Sequence, residues 1–249
     1  MDPDPRAGRR SGNAVNREER RSEFQALDIP YLITSTDQAD AVFLGDIGQQ
    51  FLDKLSGVQL YGYGIWESGF RNLTNSVRPV NSVADVPGLT IRTMENQIHI
   101  AFWKEMGTDA TPMSWSDAYP ALQQGALDGQ ENPSTVILTN NVAQVNNQLA
   151  VTEHAYSTVF LIMSPTTWAN LGEEYQAIFK EVMAECSISE RELSRQMDAE
   201  AIGKLEEQGM TATYPDKQEF IDKAADLYSQ WEKTYGDVIS QIRALGNAE

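Results

Sequence analysis

Cysteine is almost absent from this chain of 249 residues: Cys186 stands alone, which excludes an internal disulfide and any multi-cysteine metal site. The lone thiol reads as buried and inert. Histidine is nearly as scarce. His99 and His154 lie far apart, with no flanking residues at metal-ligand spacing, so both read as structural and no metal or cofactor is called for. Positive charge is also short, with 19 Lys and Arg against 36 Asp and Glu and a net charge of −17. That balance argues against nucleic acid as a partner, because phosphate backbones need a concentrated basic face. No apolar run approaches the roughly 18 residues that span a bilayer; the longest, such as Val159 to Met163, are strand-sized. The sequence marks of catalysis are missing too: there is no G-x-S-x-G elbow, H-E-x-x-H pair or Walker loop. Gly62-Tyr63-Gly64 begins like a dinucleotide fingerprint, but Glu67 stands where the third glycine belongs. A non-enzymatic, acidic binding protein is the expectation.

What is present divides unevenly. Residues 1 to 23 carry Arg6, Arg9, Arg10, Arg17, Arg20 and Arg21 with almost nothing to bury, and read as a disordered arm. Met1 to Arg21 holds no apolar segment of ~7–15 residues, so the chain as written is expected to carry no secretion signal. From Phe24 the pattern becomes that of folded protein. Thr36 to Leu55 has the apolar spacing of one amphipathic helix that Gly57 can stop. Strands are expected at Val58 to Ile65, Phe70 to Thr74 and Leu89 to Met94, the last introduced by the turn Asp85-Val86-Pro87-Gly88. Helices follow at Asn96 to Met106, closed by Gly107, and at Ser116 to Gly125. Asp128-Gly129 then turns into another strand, and Phe160 to Met163 is a further one. From Leu171 to Leu205 the apolar residues keep helical spacing, which is long for a globular domain. Asp216 to Glu219 supplies a capping-box-like start for a final helix bearing Phe220, Trp231, Tyr235 and Ile242. The alternation is that of an α/β protein, and one long helix crossing between regions suggests two lobes.

Polar residues beside turn signals at strand ends are where such sheets present ligand-binding groups. Arg92 sits inside the apolar run Leu89 to Met94, where a guanidinium without an anion would be costly to desolvate. An internal carboxylate or a ligand carboxylate would satisfy it, the latter held bidentately. Arg71, after Glu67-Ser68-Gly69-Phe70, marks a second strand edge, and Asn132 emerges from a strand that Pro133 stops.

These residues lie in a set of blocks: Val77 to Val80, Asp85 to Asn96, Thr111 to Trp115 and Ala121 to Pro133. Together the blocks resemble the solute-binding proteins of tripartite ATP-independent periplasmic (TRAP) transporters, of the dicarboxylate-binding DctP family, from about Phe24 to the C-terminus. The resemblance implies a two-lobed, periplasmic-binding-protein-like α/β fold with a long hinge-spanning helix, closing over a small organic acid, a C4-dicarboxylate or sugar acid. It implies a salt bridge from Arg92 to the ligand carboxylate and a hydrogen bond from Asn132. Arg71 is then a second anion-contacting position, Trp115 an aromatic packed on the ligand, and Glu95 a contact to the rest of the solute; Trp66 is a further expected substrate-binding residue. It further implies a periplasmic location and integral membrane subunits as partners. The family's opening strands and helix have no counterpart before Phe24, so a truncated first lobe is expected. The expected division is 24–69 and 158–197 for what remains of lobe I with its connecting helix, and 70–157 and 198–249 for lobe II. The alternative is a truncated family member without independent binding function.

Overall fold

The computed structural model describes residues 23–246. Apart from Glu23, the arm expected over 1–23 lies outside the described residues. The fold is organised by one strand. β1 (Tyr61–Asn75) is 15 residues long and serves two sheets in succession. Its first part, Tyr61 to Phe70, pairs antiparallel with β6 (Tyr156–Met163). Its last part, Arg71 to Asn75, pairs antiparallel with β4 (Gly129–Pro133) on one side, and Leu73 to Asn75 with β5 (Gln148–Ala150) on the other. The strands expected separately at Val58–Ile65 and Phe70–Thr74 are thus one strand. Bulges between Gly62 and Gly64 and between Glu67 and Gly69 let it bend from one sheet to the next. Gly69, at φ +93°, takes a conformation that a side chain would strain.

The second sheet runs β3-β2-β4-β1-β5-β7, with β2 (Thr90–Thr93), β3 (Asp109–Pro112) and β4 parallel, and β5 parallel to β7 (Thr211–Thr213). Sequence periodicity does not reveal β3, β5 and β7, because three- and four-residue strands are too short to show a period.

The helices follow their caps. Ser35 opens α1 (Thr36–Phe43) by accepting from Gln38 N–H. The single helix expected to Leu55 is broken: Leu44 and Gly45 interrupt it, and α2 (Asp46–Lys54) begins anew with Gly45 extended at its N-cap. An added Cβ on Gly45 would lie 2.4 Å from the Ala41 carbonyl oxygen, so only glycine fits this join. Asn96 caps α3 (Gln97–Glu105), and Gly107 closes it at φ +89°. α4 (Trp115–Gln123) and the short α5 (Ser134–Thr139) follow β3 and β4. The long helix, α6 (Pro165–Glu207), is capped by Ser164 and interrupted only at Gly172, whose φ of 72° and ψ of 164° leave the helical region. The expected final helix is two, α7 (Lys217–Lys223) and α8 (Ala225–Gly246), joined at Ala224.

α6 tracks β1. Trp168 stacks on Tyr61 at 4.1 Å, Phe179 meets Tyr63 edge-on, and Arg191 donates to the Ile65 carbonyl. Farther along, Leu205 enters a small second core with Ile137, Leu149 and Met210. The main core joins residues 26–51 to α3, α7 and α8: Phe51, Phe102, Trp103, Phe220 and Ile242 are all essentially inaccessible. Cys186, expected to be buried, is exposed on α6. α6 buries only a narrow stripe, with Ser187 and Arg191 inward, and position 186 falls outside it.

Candidate functional site

Parallel strands deliver their C-terminal ends to one edge of the sheet, and loops leaving those ends build a site there. Here β2, β3 and β4 do so together. β2 carries Arg92 one residue before its end at Thr93 and runs on to Glu95; β3 leads through Met113 to Trp115; β4 carries Asn132 one residue before its end at Pro133. Arg92 lies opposite Gln130 of β4 and Thr111 of β3 in the ladder.

The Arg92 side chain is 5% exposed. Its Nε and Nη2 donate to the Met113 carbonyl at 2.9 and 2.8 Å, and its guanidinium lies 5.5 Å from the centre of the Trp115 ring. Trp115 is fixed in turn by its indole N–H, which donates to Asn140 Oδ1 at 3.1 Å. Among the described residues Arg92 has no ion pair, and its Nη1 has no hydrogen-bond partner. Burial pulls its pKa below the ordinary arginine value, Glu131 opposes that, and Arg71 adds to it. A largely buried cation therefore rests against a carbonyl and an aromatic face, with no carboxylate of the described residues against it and Nη1 reaching solvent.

Arg71 is the opposite case. Its Nε and Nη2 grip the Glu131 carboxylate at 2.5 and 2.9 Å, and its Nη1 donates to Ser157 at 2.9 Å. Glu131 is wholly buried, and His154 Nε2 lies 3.0 Å from it. Burial would raise the Glu131 pKa, but Arg71, His99 and His154 together hold it well below the usual carboxylate value. Burial pushes His154 down to about 4, so that imidazole is neutral. His99 sits 3.5 Å from Glu131 and 3.8 Å from Asp28; despite burial, these carboxylates raise its pKa. Asn132 bridges the two arginine environments: its Oδ1 accepts from Arg71 Nη2 at 3.1 Å and its Nδ2 donates to Gln130.

Of the six candidate residues, the fold brings Arg92, Trp115, Asn132 and Arg71 to this edge, with Glu95 exposed beside them and acting electrostatically on Arg92. Trp66 lies on the part of β1 that pairs with β6, and its indole donates to Ser187 of α6 at 3.3 Å. A hollow of about 280 Å³ near that crossover is lined by Glu67, Thr135, Glu190, Leu193 and Met197, and none of the six candidates lines it. No sequence pattern marks Glu131, His99 or His154 as functional. The signal available was indirect: a buried Arg71 demands a counterion, and Glu131 belongs to the same strand as Asn132.

Residues 13–234 match the family of bacterial extracellular solute-binding proteins, family 7 (DctP). A solute-binding protein of Verminephrobacter eiseniae is 36% identical over 224 residues, which cover 89% of this chain and 67% of that protein. The sialic acid-binding periplasmic protein SiaP of Vibrio cholerae is 29% identical, with 89% and 69% covered. Among solved structures, a TRAP periplasmic solute-binding protein from a Polaromonas species, bound to D-erythronate, superposes with a TM-score of 0.87 at 36% identity; the match covers 92% of this chain and 76% of that one. The sugar acid-binding protein DctPAm of Advenella mimigardefordensis, in complex with galactonate, gives 0.85 at 29% identity, with 92% and 75% covered. This chain spans about two thirds to three quarters of the length of these relatives and belongs to the DctP family of TRAP transporter solute-binding proteins.

Proposed function

We propose that this chain captures a small organic acid by its carboxylate at Arg92 and delivers it, outside the cytoplasmic membrane, to the integral membrane subunits of a TRAP transporter. The observation that carries this is the buried, uncompensated Arg92 guanidinium, with Nη1 free among the described residues. Leaving such a charge unpaired is expensive, and a ligand carboxylate would supply the missing partner. Asn132 retains one amide N–H beyond that given to Gln130, and Trp115 offers an aromatic wall. D-Erythronate and galactonate, bound by relatives of the same fold, are both carboxylates carrying hydroxyls.

We place the hinge where β1 leaves β6 for β4, with 158–197 and the first part of β1 on one side and 70–157 with 198–249 on the other; residues 26–51, expected with the former, share the main core with α3, α7 and α8 and so move with the latter. Support comes from the two bulges and Gly69 at that point, and from α6 passing between the two sheets. Closure follows from tighter binding to the closed state, and the role is binding without turnover. Among the described residues no helix is long and apolar enough to cross a membrane, so membrane delivery rests on partner subunits.

Calorimetric titration with a panel of sugar acids, hydroxy acids and C4-dicarboxylates tests the reading. Saturable one-site binding of at least one acid, recovered unchanged afterwards, is expected. Absence of binding by every acid, or its chemical conversion, would contradict it.

A further inference from the structure

Two arginines meet at this edge of the sheet, and only one has charge to offer. Arg71 spends Nε and Nη2 on Glu131 and Nη1 on Ser157, inside a pocket where Arg71 is 3% exposed and Glu131 is inaccessible. The pair is electrically neutral toward anything that approaches. The groups packed behind it do not change that balance. His154 is neutral, and His99 lies between Glu131 and Asp28, so that even a protonated His99 is matched by Asp28. The charges acting on Arg92 are the Arg71–Glu131 pair, whose opposite effects offset each other, and Glu95. The described residues of the site thus present one unmatched positive charge, and beyond it a carboxylate, Glu95, exposed on the loop after β2.

Resting on the reading that Arg92 anchors a ligand carboxylate, we infer that the site selects monocarboxylates bearing hydroxyl groups and rejects dicarboxylates of the same length. One carboxylate neutralises Arg92. A second would find no cation: Arg71 is already clamped by its own counterion, and Glu95 repels it. Hydroxyl groups meet the reverse situation. The Glu95 carboxylate accepts hydrogen bonds from them, the free Asn132 amide hydrogen donates to them, and the C–H face of a polyol chain packs on Trp115. The selectivity is built by Glu131, which removes a charge the fold would otherwise offer, as much as by any group that touches the ligand.

The test is a pair of titrations at neutral pH, where diacids carry two charges: D-erythronate, a C4 hydroxy monoacid, against succinate and L-malate. Erythronate is expected to bind about 100-fold more tightly than either diacid. Glu95→Gln, an exposed change that leaves folding intact, is expected to narrow that ratio about tenfold by strengthening the diacids. Glu131→Gln releases Arg71 and is expected to narrow it further. Equal affinity for monoacid and diacid, or a ratio untouched by Glu95→Gln, would overturn the selectivity and leave carboxylate capture standing. Failure of every acid to bind would overturn both.

Discussion

At the scale of single residues, Arg92 and Arg71 show how the same side chain acquires opposite roles. Both are buried, but Arg71 has a carboxylate at 2.5 Å and Arg92 has only a carbonyl and a ring. Removing one partner of a buried pair strands the other, so Glu131→Ala is expected to destabilise the folded chain by about 3 kcal/mol, measured by urea unfolding. A change below about 1 kcal/mol would show that Arg71 finds another anion or water. Arg92 was legible in the sequence because its neighbours, Leu89, Ile91 and Met94, are apolar. The Arg71–Glu131–His154 cluster was not legible. It depends on β1 lying beside β4 with Leu73 opposite Glu131, a register between segments about sixty residues apart that no local pattern encodes.

At the scale of elements, β1 and α6 carry the argument. They are joined by a buried charge network: Glu67 accepts from Arg191 at 2.8 Å and from Arg195 at 3.0 Å, Tyr156 donates its hydroxyl to it, and both arginines reach back to Asp40 of α1. Burial would raise the Asp40 pKa, yet the two arginines lower it, so this tie is intact at neutral pH. One turn farther on, half-buried Asp198 faces Gly69 with its Oδ1 lacking a partner. Burial first, then Glu153 and Glu67, push its pKa up to about 6. Between the unfolded value of 3.8 and this folded value, the native state holds the proton more tightly, so stability falls as pH rises through that window and stays reduced above it. Asp198→Asn should therefore stabilise the chain at pH about 7.5 by about 1 kcal/mol, allowing for solvent screening, and have little effect near pH 4. Urea midpoints at the two pH values check this, and a pH-independent difference would refute it. The length of α6 was readable because its apolar spacing persists from Leu171. Its break at Gly172 was not, since a single glycine within a helical pattern is ordinary. The join at Gly45 is hidden in the sequence because the apolar spacing runs straight through it, whereas the backbone contact that demands glycine there exists only in three dimensions.

At the scale of the molecule, the alternation of strands and helices announces the fold class, and the blocks from Val77 to Pro133 announce the family, with the matched region covering nearly all of the described chain. What the pattern could not convey is how the parts share a core. Gln38 of α1 donates to the Ile242 carbonyl, and Tyr228 donates to that of Pro30, so α8 clamps residues 30–38 from the far end of the chain. With a net charge of −17, the molecule as a whole repels the anions it is proposed to take up. Capture must therefore come from a short-range contact, the one proposed for Arg92. The most direct measurement is calorimetry on Arg92→Met beside the wild type, with an acid the wild type binds. The account predicts a loss of affinity of about 100-fold or more, with an unliganded melting temperature that does not fall, because methionine fills the space without an unmatched charge. Undiminished affinity in Arg92→Met would contradict it.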